Sequence, residues 1–203
     1  VIVDIKSMLK GFIKRFVRQR PTESEWLLKN TWEGVALVEC SNSTDSGLEK
    51  KYYFTVLPSD QMFNGGLLPE AIVGEYLESP SKNGNIEPEK FAANTVFKDF
   101  LHAVIAKCGD LPDVAIEARR IGQGLVTVID RRVPDVNAAI KPTDILGGFT
   151  VENGVVTGYS RNPNHVLLNQ YGFFVLDTNI QSRLLNALEA LEKNRGEVRS
   201  STK

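Results

Sequence analysis

Histidine is scarce in this chain. His102 and His165 are the only two among 203 residues, and cysteine and methionine also number two each. A zinc centre needs three or four nitrogen or sulfur ligands at short spacing, and neither the histidines nor the widely separated Cys40 and Cys108 provide them. The two cysteines read as buried reduced thiols. Phosphate-cradling glycine patterns are missing too. There is no Gly-x-x-x-x-Gly-Lys, and Gly122-Gln123-Gly124 lacks the third glycine and the helix that should follow it. Neither a Gly-x-Ser-x-Gly elbow nor a His-Glu-x-x-His helix occurs, and no Asp-rich calcium loop is present. Ser7-Met8-Leu9-Lys10 has the Ser-x-x-Lys spacing without the motifs that accompany it in enzymes. No cofactor and no metal are therefore expected. No apolar run approaches the roughly 18 residues of a membrane-spanning helix. Cations interrupt the N-terminal apolar residues, so no signal-peptide core forms. A cytoplasmic protein is expected.

What the chain does have is an uneven distribution of charge. Its net charge is −1, yet residues 1–20 carry Lys6, Lys10, Lys14, Arg15, Arg18 and Arg20 against Asp4 alone, a charge of +5. A near-neutral whole argues against a dedicated nucleic-acid binder. In the same segment Ile5, Met8, Leu9, Phe12, Ile13, Phe16 and Val17 recur at i, i+3, i+4 spacing, which predicts a basic amphipathic helix over 4–19. Its stripe, with Phe12 and Phe16 at the centre, suits packing on its own domain, a protein partner or self-association. An anionic membrane surface is a further candidate through residues 4–20.

Downstream, Thr22-Glu23-Ser24-Glu25 opens a short helix through Leu28. Strands are expected at Gly34–Cys40 and Lys51–Leu57, joined by a polar loop over Ser41–Leu48, with Trp26 and Trp32 anchoring the start. Prolines and glycines break residues 58–87, leaving room for a short helix around Pro69–Tyr76 and a surface loop at Ser79–Asn85. A long helix is expected over Glu87–Lys107, with Phe97, Phe100, Leu101, Val104 and Ile105 on one stripe and Gly109 as its cap. His102 falls about 130° from the stripe's centre, at 100° per residue, and reads as a solvent-facing or edge residue. Strands follow at Val114–Arg119 and Leu125–Asp130. After a connection over 134–142 comes the clearest hairpin, Ile145–Val151 with Val155–Ser160, turned by Glu152-Asn153-Gly154. Further strand is expected at Val166–Leu168 and Tyr171–Leu176. A last helix covers Asn179–Asn194, with Thr178 and Gln181 as a capping box, Gly196 as its stop and Leu184, Leu188 and Leu191 on its apolar face.

The chemically densest stretch is Tyr159-Ser160-Arg161-Asn162-Pro163-Asn164-His165. Asn162, Pro163 and Asn164 are turn formers, and a turn is the simplest account of them. A loop presenting Tyr159, Arg161, Asn162, Asn164 and His165 to a partner or ligand is the functional account. For His165 to act as a general base it needs an orienting carboxylate, and Asp130, Asp135, Asp144 and Asp177 are the candidates. Arg119-Arg120 and Asp130-Arg131-Arg132 read as two separate solvated charge features.

Grouped strands with few helix–strand alternations predict an α+β fold. Its sheet should be mainly antiparallel, with about five to seven strands covered by the long central helix and the C-terminal helix, plus the amphipathic N-terminal helix. The division is a basic helix over 1–20, one α+β domain over 21–196 and a polar tail over 197–203. The expected function is non-catalytic, a protein-interaction or regulatory role. The alternative is a small hydrolase or transferase with its site around His165.

Overall fold

The computed structural model describes residues 31–32, 34–44, 47–57, 68–80, 86–132 and 140–200. The expected helix at 4–19 with Phe12 and Phe16, the short helix ending at Leu28, and residues 133–139 of the connection lie outside the described residues. The described residues form an α+β fold with antiparallel sheets and three helices. The described strands do not form one sheet. They divide into a five-stranded meander, a three-stranded sheet and a two-stranded ribbon.

The meander runs β1 (Thr31–Trp32), β2 (Val35–Thr44), β3 (Gly47–Thr55), β4 (Ile72–Tyr76) and β5 (Phe91–Ala93), each strand beside the next. The polar stretch expected as a loop over Ser41–Leu48 is mostly strand: pairing of β2 with β3 continues from Ala36↔Thr55 out to Thr44↔Gly47. Backbone ladders do not need apolar side chains, so polarity there did not end the pairing. The helix expected at Pro69–Tyr76 is also corrected. Pro69–Ala71 is a single 3-10 turn, and Ile72–Tyr76 is strand. Ile72 and Val73 are both buried because the sheet is covered on two faces. Val73 joins Leu37, Phe54 and Tyr76 in the main core, and Ile72 joins Val38, Cys40 and Tyr53 in a second cluster.

The central helix is shorter than its apolar stripe implied. Pro88–Lys90 is a 3-10 turn, Phe91–Ala93 pairs with β4, and α1 proper spans Thr95–Ile105. Asn94 starts it: Oδ1 accepts the Val96 N–H at 3.0 Å, while Nδ2 donates to the carbonyls of Pro69 (2.8 Å) and Ile72 (2.7 Å). One side chain thus caps α1 and ties it to β4. Gly109 is not the left-handed cap expected, since its φ is −63°. The predicted strand Val114–Arg119 is instead within helix α2, Pro112–Ile121. Alternating Val114, Ile116 and Ala118 imitated a strand, but Ile116 is exposed and only Ala118 is buried deeply. Pro112 sets the first turn, and Gly122, at φ +70°, stops it by donating its N–H to Ala118.

The three-stranded sheet has β7 (Ile145–Glu152) between β6 (Gly124–Ile129) and β8 (Val155–Arg161). The 145–160 hairpin is present as read. Asn153 (φ 52°) and Gly154 (φ 76°) form its two-residue turn, both in the left-handed region that such turns require. β9 (Leu168–Asn169) and β10 (Gly172–Phe173) form the ribbon. Helix α3 runs Thr178–Ser200, continuing through Gly196 where a stop was expected. Its cap is Asp177, whose Oδ1 accepts the Asn179 N–H at 2.9 Å, not the Thr178–Gln181 box.

The core lies where α1 and α3 meet both sheets. Phe97, Leu101, Val104, Leu184 and Leu188 are buried together with Phe54, Phe149 and Leu146, while Phe100 and Leu191 pack at the margin. Among the described residues, no helix is long and apolar enough to cross a membrane.

Candidate functional site

Because β6 and β8 flank β7, the residue ending β6 and the turn following β8 arrive at the same end of the sheet. That brings Asp130 to His165. His165 Nε2 lies 3.0 Å from Asp130 Oδ2, and the residues are each 1% exposed. Of the four candidate carboxylates, Asp130 is the one that orients His165.

Asp130 is fully engaged. Oδ1 accepts the backbone N–H groups of Arg132 (3.1 Å) and Val175 (2.9 Å), and Oδ2 also meets the Arg132 guanidinium at 2.7 Å. Arg132 then donates to the carbonyls of Gly172 (3.0 Å) and Val166. Its Nε stands 3.9 Å from Asp144 Oδ1, which accepts from Asn169 at 3.3 Å. Asp130 and Arg132 were read as solvated surface charges. They are instead a buried pair stitching β6 to the 165–175 segment. Arg131 keeps the surface role, bridging to Asp177 at 2.6 Å, and Arg119 and Arg120 are exposed as read. An isolated charge here would be costly to bury. Mutual neutralisation and the bonds of Asp130 and of the Arg132 terminal nitrogens offset that cost, although Arg132 Nε has no hydrogen-bond partner among the described residues.

The second histidine joins the same region from α1. His102 was expected on the wet face of its helix or at its edge, yet it is 5% exposed. Sheet β6–β8 packs on that side of α1, so the helix is buried on more than its apolar stripe. His102 Nδ1 lies 2.9 Å from Tyr159 Oη, and Tyr159 donates to the Leu146 carbonyl at 3.3 Å. The Tyr159 hydroxyl thus links the His102 ring to the Leu146 carbonyl, with Nδ1 as the engaged ring nitrogen. Burial, followed by the neighbouring His165, Lys98 and Arg161, lowers the His102 pKa to about 4. Burial also pushes the Tyr159 phenol up. The His102 and His165 rings stand 6.5 Å apart, nearly perpendicular. Among the described residues, His102 Nε2, His165 Nδ1 and Arg132 Nε are buried without hydrogen-bond partners.

The rest of the 159–165 segment secures the fold around this pair. Asn162 Nδ2 donates to the carbonyls of Pro142 (2.5 Å) and Ile145 (2.7 Å), and its Oδ1 accepts the Asn164 N–H at 3.0 Å. Arg161 bridges to Asp99 at 2.6 Å on the surface. Lys98 Nζ donates to the His165 carbonyl at 2.8 Å, and burial lowers its pKa. Tyr159 and His165 therefore face inward, whereas Arg161 and Asn164 are exposed. The structure selects Asp130 from the candidate carboxylates, sets Asp144 beside Arg132, and adds Arg132, His102 and Lys98 to the constellation. The wide apolar arc of 96–105 was the one sequence signal that α1 is covered on two sides.

A cavity of about 210 Å³ borders this constellation at Arg131 and Val175, lined also by Gly34, Val56, Thr178 and Gln181 among others. No residue of 159–165 lines it. Among the described residues, no group of three or more His, Cys, Asp or Glu side chains is placed to hold a metal.

The outward face of the three-stranded sheet is different in kind. Leu125, Thr127 and Ile129 point outward along β6. Thr150 and Gly148 lie opposite the first two on β7, and Gly158 and Ser160 lie beyond them on β8. Leu125 folds over Gly148, where an added methyl would meet its Cγ at 2.7 Å. Val155 extends the face at the hairpin end, and these outward positions carry no charged side chain apart from Glu152 at the tip. Leu125 is 57% and Val155 63% exposed.

Comparison with known proteins finds no matching family, no similar curated protein and no similar solved structure.

Proposed function

We propose that this chain is a cytoplasmic, non-catalytic protein-interaction module that docks a protein partner on the outward face of β6–β8. The observation that carries this reading is the exposure of Leu125, Ile129 and Val155 on a face whose other positions are small and uncharged, Glu152 at the hairpin tip excepted. Contiguous exposed apolar surface without charge is a feature of interaction sites. The polar constellation supports the same reading from the other side. His165 and Asp130 are enclosed, and the hydrogen bonds of Asp130 all serve the fold.

A photo-crosslinking residue at position 127, in the full chain in its native cell, tests this. A discrete protein adduct is expected, lost in Ile129→Asp and kept in His165→Asn. No adduct, or one indifferent to Ile129→Asp, overturns the reading.

One observation favours a second reading, a hydrolase or transferase. Asp130 holds His165 at 3.0 Å, as a carboxylate orients a general base. That reading requires turnover of an ester or phosphoester panel that disappears in His165→Asn. Its weakness is the 1% exposure of the imidazole and, among the described residues, the lack of a hydroxyl or thiol bonded to Nδ1.

A further inference from the structure

The chain's two histidines, 63 positions apart, meet ring against ring in the seam between α1 and the three-stranded sheet. We propose that this seam is an acid-sensitive latch, in which protonation of His102 releases α1 from β8.

The groups facing His102 come from every element packed on it. α1 contributes Lys98 and Asp99, β8 contributes Tyr159 and Arg161, and the turn after β8 contributes His165, itself backed by Asp130 and Arg132. His102 Nδ1 is engaged with Tyr159. The charged ring carries a proton on both nitrogens, and Nε2 is buried with no acceptor among the described residues. The resulting cation stands between Lys98 and Arg161 with a second imidazole 6.5 Å away. Among the described residues Asp99 is the one facing anion, and it already pairs with Arg161 at 2.6 Å. The closed seam therefore disfavours the charged ring, whereas in an opened seam water can solvate it. The sign follows from linkage. The closed-state pKa, about 4, is below the ordinary 6.5, so the closed state holds fewer protons and loses ground as pH falls from 6.5 toward 4. Opening would expose the inner face of the sheet at Phe149 and Tyr159.

Amide hydrogen exchange of the full chain, corrected for intrinsic rates, tests the latch. Between pH 7 and pH 5 the opening constant of amides in Phe100–Ile105 should rise about 20-fold, as a single proton with these two pKa values dictates. Amides of Phe54 and Val73 in the five-stranded sheet should change far less. His102→Gln should abolish most of the rise. Lys98→Met, which removes a cation facing the ring, should reduce it. A flat response, a uniform rise in both regions, or an undiminished rise in His102→Gln overturns the proposal. If His102→Gln does not fold, NMR titration of the wild-type His102 ring decides. A midpoint well below 6.5 supports the latch, and one at or above 6.5 overturns it.

Discussion

The phenol of Tyr159 lies across the α-carbon of Gly147. A methyl group there would stand 2.7 Å from Tyr159 Cζ and 2.5 Å from the Ser160 carbonyl oxygen. Tyr159 reaches His102 only because β7 has no side chain at this point. Gly147→Ala should therefore cost about 1–3 kcal/mol, the range for inserting a methyl into a packed interior. Gly158→Ala in the neighbouring strand meets nothing within 4 Å and should leave stability unchanged or raise it by about 0.4–1 kcal/mol. Denaturant unfolding of the two variants side by side checks the contrast.

Arg132→Met should destabilise the protein by about 3–5 kcal/mol, because it leaves the Asp130 carboxylate buried without its cation. Adding Asp130→Leu should cost less than the sum of the two single changes, since the pair acts as a unit. A double-mutant cycle from urea melts measures this. Two additive losses would mean that the 2.7 Å contact contributes nothing beyond packing.

Leu188→Ala should cost roughly 2–5 kcal/mol. Leu188 is completely buried where α3 meets the core. A calorimetric loss below about 1 kcal/mol would show that α3 is peripheral to stability.

Both cysteines should resist a thiol reagent at pH 8 until the protein unfolds. Burial, then Glu39 and Glu75, push Cys40 up to about 12, and burial raises Cys108. With a pKa near 12 the thiolate fraction of Cys40 at pH 8 is on the order of 10⁻⁴. Labelling that tracks the unfolding transition is the expected result. Fast labelling of the native protein would contradict it.

The 145–160 hairpin was legible because its signal is local: Asn153 and Gly154 accept the positive φ that the turn demands. The α2 segment was not, because Val114, Ile116 and Ala118 alternate like a strand while only one of the three is buried deeply. Asp130 was on the list of partners for His165, but nothing in the spacing selected it. That selection depends on the order β6-β7-β8, a tertiary fact. His102 misled for a related reason. Helical periodicity locates one apolar stripe, and α1 is covered by a second sheet on another side. Asp130 and Arg132 were read as solvated because charged residues usually are, and their burial becomes visible only when both halves of the pair are seen together.

The Asp130 hub also has a consequence for the order of events in folding. Its partners His165 and Val175 lie 35 and 45 positions along the chain. Bringing such distant segments together carries a loop-closure cost until β6, β7 and β8 have paired. A hub that forms after the rate-limiting barrier acts as a brake on escape from the native state. Weakening it should speed unfolding while leaving the refolding rate nearly unchanged.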